Sequence, residues 1–458
     1  MTRGLFASRF WRACTTVLLP ALGVFHTAGC CKEKPTATGA PSATPPPVSS
    51  AEMIGEVPPR SVAVPKVSSP VFAIRAKLVS KEIGFGGSLA LRGNRALVAT
   101  SNRVLVLERN ASGTWAQAGV LNADDEKDWD LFGSELALES DVAVANAPHR
   151  SNACGAVYTF SQDAGVWRQT AQFLPSSVGE PCDKSRFFGG APTVEGDAML
   201  VGSYDGAYAF TRRSDGTWQF DHKLVPPEVS KDSRFGTAIA MSGGHAFVSD
   251  PWAHDNEGRV YVFDTNPAGK WTYKQTLRGE ATNLFGQDLR VQGDSAFVVS
   301  DVATASARSV ATGPLGSVFV FRRNPDGEWV QEQRIRPPDG KLRYFGSDVG
   351  MAGSTLVIGG WGQVEHKGNV DKALDPGGIY FYRKGGSGKW EFAAELSGGD
   401  VGEDDFARAM AISGNQVFVA ARVGSPSVEA LMDAGPGEAK KLLDGEESAV
   451  YVLEMLAK

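Results

Sequence analysis

Histidine is the side chain best suited to trading protons or binding metals near neutral pH, and this chain of 458 residues has only six. His149, His254 and His366 lie far apart, and none belongs to a spacing that seats two ligands on one element. His222 and His245 stand in or beside alternating apolar runs, which reads as structural. No Ser-His-Asp signature, Gly-rich phosphate loop or metal-ligand spacing occurs. Acidic residues do cluster: Asp124-Asp125-Glu126 with Asp128 and Asp130, then Asp183, Asp232, and Glu403-Asp404-Asp405. Such carboxylates could ring an opening and hold a cation. Their spacing varies from cluster to cluster, which favours polar turns that cap the entry to a strand. A glycosidase needs two carboxylates at a defined separation, and the sequence brings no such pair together. The expected catalytic, metal and cofactor sets are therefore empty, and five cysteines remain to be placed.

The elements that must position these residues are repeats. Phe85, Phe132, Phe188, Phe235, Phe285, Phe345 and Phe406 recur about every fifty residues, and all but the last are followed by glycine. A turn glycine follows eight positions later (Gly93, Gly196, Gly243, Gly293, Gly353, Gly414), with Ser140 in its place once. Two alternating apolar runs come next, and then a Gly-x-Trp turn at Trp115, Trp167, Trp218, Trp271, Trp329 and Trp390. In the fifth unit the strands are predicted at Gly286–Val291, Ser295–Ser300, Gly316–Arg322 and Trp329–Ile335. Short strands at this period predict an all-β fold, a seven-bladed β-propeller of four-stranded antiparallel blades. Only six tryptophan strands serve seven units. Phe72 and Leu78 reproduce their six-residue offset from Trp to an apolar residue. The N-terminal segment Val71–Leu78 is therefore expected to be the outer strand of the last blade, closing the ring and hiding its edges.

Strand direction orients the ring. Loops between second and third strands share one face, here called the top, with the loops between blades. The long excursions Asp301–Leu315, Trp361–Pro376 and Gly424–Ser448 fall there, and long loops on a rigid scaffold commonly carry binding. Short helices are expected within the last, at Ser427–Ala434 and Glu438–Asp444. Cys154 and Cys182 belong to two top loops of the second unit, and in an exported protein they are expected to form a disulfide. The chain should enter the closing strand from the bottom, leaving the top free to face away from a membrane.

The Phe-Gly pairs, Asn146-Ala147-Pro148, Ser249-Asp250-Pro251 and the third strands Gly155–Phe160, Gly258–Phe263 and Gly316–Phe321 resemble the FG-GAP repeat of integrin-alpha-like propellers. The likeness runs from Val71 to the C-terminus and implies a propeller. The alternating Asp/Asn run of that family's calcium-binding members is missing from all seven units. The turns Ser161–Trp167 and Ser214–Trp218 are similar to the Asp-box of sialidase-like propellers, itself a structural turn.

Arg3, Arg9 and Arg12 precede an uncharged stretch, Ala13–Gly29, with an apolar centre, which reads as a secretory signal. It ends Thr27-Ala28-Gly29-Cys30, which resembles a bacterial lipobox and implies residues 1–29 as signal peptide with lipid on Cys30. Cys31 rather than Asp in the next place implies the outer membrane. Residues 30–70 are rich in Pro, Ala, Ser and Thr and read as a tether; residues 71–458 form the propeller. A net charge of −6 argues against nucleic acid. The expected protein is a lipid-anchored, non-catalytic envelope module of adhesion or scaffold type, binding a protein or glycan partner through top-face loops. Two alternatives remain. One is a sialidase- or lyase-like enzyme with its site in the central funnel, marked by a compact polar group with perturbed pKa values. The other is a structural subunit of an envelope complex, marked by apolar blade sides.

Overall fold

The structure, a computed structural model, describes residues 55–57, 71–125, 130–228, 230, 232–266, 269–280, 284–300, 316–338, 344–362, 364–367, 370–373, 375–403, 405–422 and 448–456. It is a seven-bladed β-propeller, with antiparallel pairing throughout each blade. From the inner strand outward, blade one runs Leu89–Arg92, Arg95–Ala99, Val104–Arg109 and Trp115–Leu121. Blade two runs Leu136–Leu138, Val142–Ala147, Ala156–Asp163 and Val166–Phe173. Blade three runs Gly190–Glu195, Ala198–Ser203, Gly206–Arg212 and Trp218–Leu224. Blade four runs Ile239–Ser242, His245–Asp250, Arg259–Thr265 and Trp271–Leu277. Blade five runs Leu289–Gln292, Ser295–Ser300, Ser317–Arg323 and Trp329–Ile335. Its inner strand begins later than predicted because Gly286, at φ 96°, turns the chain out of the ladder. Blade six runs Tyr344–Ala352, Thr355–Trp361, Gly378–Lys384 and Trp390–Ser397.

Blade seven joins the two ends of the chain. Met410–Ser413, Gln416–Arg422 and Ser448–Met455 take Phe72–Ser80 as their outer strand, with Leu78 opposite Val450. One more strand follows outside it. Gly55–Val57 lies in the segment read as tether, and pairs antiparallel with the closing strand, Gly55 opposite Val79 and Val57 opposite Lys77. Val79 is at the top end of that strand. The chain enters the closing strand from the bottom, at Phe72 opposite Met455, as expected, while the strand outside it begins at the top rim, opposite Val79.

The core is seven layers, one between each pair of neighbouring blades. Successive side chains of a strand point to opposite faces. In blade one, Ala96 and Val98 therefore pack against blade seven, while Leu97 packs against blade two. Both faces of the middle strands are buried, which is why they read as near-continuous apolar runs.

The repeat motif is the joint between blades. In six blades the opening Phe meets the first aromatic of its own blade's third strand, edge to face in each case: Phe132 on Tyr158, Phe188 on Tyr208, Phe235 on Tyr261, Phe285 on Phe319, Phe345 on Tyr380 and Phe406 on Tyr451. Its backbone presses on the glycine that opens the third strand of the blade before. A Cβ on Gly316 would sit 1.9 Å from the Phe345 carbonyl oxygen. Gly155 and Gly258 stand in the same relation to Phe188 and Phe285. The bottom turns are also tied across blades: the Gly93 and Gly293 amides donate to Ser413 and Ser242 of the preceding blades.

Candidate functional site

The top face is built from the polar groups that the interblade loops set against third and outer strands. In blade two, Asp125 accepts from the Tyr158 hydroxyl at 3.0 Å and the Gln172 amide at 3.0 Å, and pairs with Arg150, which also reaches Asp130 at 3.1 Å. In blade seven, Glu403 accepts from the Tyr451 hydroxyl at 2.6 Å and pairs with Lys77 at 2.6 Å. In blade three, Lys223 bridges Glu180 at 2.9 Å and Asp205 at 2.8 Å, and Arg186 reaches the same two carboxylates. In blades two and seven an acid from the incoming loop is latched to a third-strand tyrosine and to the outer-strand residue opposite it; in blade three the acid that meets the tyrosine is Asp205, from the loop between second and third strands, and the incoming-loop Glu180 meets the outer-strand Lys223. The register pairs Tyr158 with Gln172, Tyr208 with Lys223, and Tyr451 with Lys77.

These latches shift proton affinities. Burial pushes the Tyr208 phenol up to about 12, with the Asp205 charge adding to it against the Lys223 hydrogen bond. Burial and the Asp125 charge likewise raise Tyr158 well above the usual phenol range. Burial opposes the Lys223 ammonium, but hydrogen bonds to Asp205, Glu180 and Tyr208 outweigh it and hold its pKa above normal. Burial alone would raise Asp205, yet the hydrogen bonds from Lys223 and Ser203 and the nearby cations keep its carboxyl below normal. Tyr158 and Tyr208 stay protonated and Asp125 and Asp205 ionised through the neutral range, which suits a latch.

The acidic clusters therefore divide. Asp183 is the expected polar turn, accepting from the Ser185 amide at 2.9 Å and hydroxyl at 2.6 Å. Asp125 and Glu403 are latches, and Asp405 accepts from the Trp361 indole at 2.6 Å. Glu126, Asp128 and Asp404 lie outside the described residues. Among the described residues no three His, Cys, Asp or Glu side chains come together to hold a metal ion. His149 precedes the short helical turn Arg150–Ala153, His254 lies in the turn Ala253–Asn256, and His366 in the top hairpin Val364–Lys367/Val370–Ala373 of blade six. His245 Nδ1 is 2.6 Å from Asp264 in the bottom turn of blade four. Cys154 and Cys182 stand side by side with Cα atoms 5.2 Å apart, within the roughly 4.4–6.8 Å a disulfide spans. Cys30, residues 301–315 and residues 423–447, with the helices expected there, lie outside the described residues.

Two features were not foreseen. Around the central channel, Arg290 links Asp288 at 3.1 Å to Asp348 at 3.2 Å, and Asp348 also accepts from the Met410 amide at 3.1 Å, so the inner strands of blades five, six and seven are tied together. On the top rim two aromatic pairs stand where an inner strand begins and a second strand ends. Tyr344 and Trp361 stack at 5.5 Å in blade six, and Phe187 and Tyr204 meet at 5.0 Å in blade three. Arg234 lies 5.1 Å from the Tyr204 ring and 4.4 Å from that of Trp252. Each pair is seventeen positions apart and starts just before the Phe of the repeat, a spacing readable in the sequence once the blades are aligned.

Closed ring, blade joints and repeated latches define the class: a seven-bladed β-propeller. Residues 218–263, from the outer strand of blade three to the third strand of blade four, match the FG-GAP repeat. No curated protein matches the chain. Among solved structures, a protein from Lactobacillus plantarum is similar at 14% identity and TM-score 0.46, covering 71% of this chain and 88% of its own. The periplasmic gluconolactonase of Pseudomonas aeruginosa is similar at 14% identity and TM-score 0.44, covering 72% of this chain and 92% of its own.

Proposed function

We propose that this protein is a non-catalytic binding module of the bacterial cell envelope, held by lipid on Cys30 and engaging its partner through the top face of blades five to seven. One observation supports this most. The three long excursions leave the same face of three consecutive blades, between Ser300 and Ser317, between Trp361 and Gly378, and between Arg422 and Ser448. Tolerated insertions would fall on any blade, whereas these leave three neighbouring blades on one face. On these blades Glu403 is latched to Tyr451 and Lys77, and Arg290 bridges Asp288 and Asp348, which suits a rigid scaffold. The Cys154–Cys182 pair, in the same reading, is a disulfide that fixes the loop between blades two and three. Since the described chain begins at the top rim, tether and binding surface share a face. The residues from Cys30 to Gly55 have a contour on the order of 75 Å at about 3 Å each, enough to let the ring turn.

The test uses the full-length protein in detergent as bait against native envelope extracts. Three variants replace residues 301–315, 363–374 or 424–447 with short Gly-Ser linkers. The expected result is a partner retained by the native chain and lost from at least one variant. Equal retention by all four baits would remove the top face of these blades from the function. A hydrolytic activity of the native chain on envelope glycans would replace the binding role with catalysis.

A further inference from the structure

Blades three and six differ from the other described blades at one pair of positions, the residue before the repeat's Phe and the residue seventeen places on. Blade one has Gly84 and Ser101 there, blade two Leu131 and Pro148, and blade four Arg234 and Pro251. Joining blades therefore does not need aromatic rings at this place, yet blade three has Phe187 and Tyr204, and blade six has Tyr344 and Trp361. All four rings are only partly buried and stand at the top rim. In both blades the residue before the next blade's Phe is charged and touches the second ring. The Asp405 carboxylate accepts from the Trp361 indole and faces Arg408 at 3.4 Å; the Arg234 guanidinium lies over Tyr204. A charged group of the next blade is thus held against the second ring of each pair.

We propose that these two aromatic platforms bind a glycan. The inference rests on the binding role above and names its ligand class. A pyranose ring presents a flat C–H face and a rim of hydroxyls. The first fits the plane of a ring such as Trp361, and the second fits a neighbouring carboxylate or guanidinium. A protein partner's anchor would instead need a dry, fully desolvated pocket, and partly exposed rings edged by ionised groups do not make one. Two platforms on one face, three blades apart, suit a chain of sugars or two arms of a branched one, since a second contact within one ligand multiplies affinity.

The experiment uses the full-length protein in a sugar-free detergent, probed on an array of immobilised neutral and acidic oligosaccharides of hexoses and N-acetylhexosamines. The strongest hit is then titrated calorimetrically. The expected result is a retained oligosaccharide whose affinity falls about tenfold in Trp361→Ala and in Tyr204→Ala. Trp361→Phe and Tyr204→Phe, which keep a ring, should stay within a fewfold of native. Thermal melting by circular dichroism shows that each variant is folded; if an alanine variant is not, Trp361→Leu and Tyr204→Leu replace it. No oligosaccharide retained by the native chain overturns the inference, as does native affinity in the ring-less variants. A protein partner still captured by those variants through the excursions would leave the binding role standing and remove only the glycan.

Discussion

Gly316 shows how narrow the blade joint is. Its φ is 99°, and an added Cβ would meet the Phe345 carbonyl oxygen at 1.9 Å. Gly316→Ala must therefore move a blade as well as strain the backbone, and should lose at least about 2 kcal/mol in urea unfolding. His222 carries a second test. Gln275 and Gln333, four places after their tryptophans, each clamp the next blade's Trp backbone, Gln275 to Trp329 and Gln333 to Trp390. His222 holds that place in blade three, and its Nε2 is buried without a partner. Burial is the main cause that lowers its pKa, with the Lys270 charge adding to it and Asp221 opposing it. A folded-state pKa below the unfolded value means that stability is complete above about pH 6.5 and is lost as pH falls through the folded pKa. His222→Gln should restore the clamp, adding about 1 kcal/mol, and flatten the slope of stability between neutral and mildly acid pH. An unchanged slope would show that His222 is not its source.

Strands and loops carry different tests. The closing strand Phe72–Ser80 completes the sheet of the last blade from the other end of the chain, and Leu78 within it is fully buried. Leu78→Asp puts an unpaired charge in the layer between blades seven and one. It should cost about 3 kcal/mol or more and, by freeing an edge, raise the fraction of oligomer seen by light scattering. Removing Gly55–Val57 leaves all four strands of blade seven, so stability should stay within about 1 kcal/mol of native. The loop from blade two to blade three is the place of the Cys154–Cys182 pair, with a sequence separation of 28. Cys182→Ser should cost about 2–4 kcal/mol under oxidising conditions and leave stability near native under reducing ones. A non-reduced digest without the linked peptides would end that reading.

Taken as a whole, the ring has no single centre. Every blade buries both faces against neighbours, so no blade keeps a core of its own once one is removed. Unfolding should be one transition, with coincident fluorescence and far-ultraviolet signals; two separated transitions would mean that part of the ring stands alone. The anchor is tested at the same level. Cys30→Ser removes the proposed attachment point of the lipid and should shift the protein from the membrane to the soluble fraction. Retention of the Cys30→Ser protein on membranes would remove the lipid from the proposal.

Periodicity alone was enough for the architecture. Seven Phe starts, six Trp strands and the Phe72–Leu78 offset specify seven blades and their closure, because each mark is local: a turn needs its glycine and a strand its alternation. The strand Trp329–Ile335 was placed to the residue for the same reason. Contacts between distant segments left no such trace. Gly55–Val57 is too short and too polar in its setting to stand out, and it exists because the closing strand offers an open edge. Asp125 and Glu403 read as irregular acidic turns, since their partners lie in other strands and only folding brings Tyr158 and Tyr451 to them. The aromatic pairs fall between these cases. Their spacing is in the sequence, but that Tyr344 and Trp361 stack, and that Asp405 of the next blade fixes the indole, depends on how one blade twists against another.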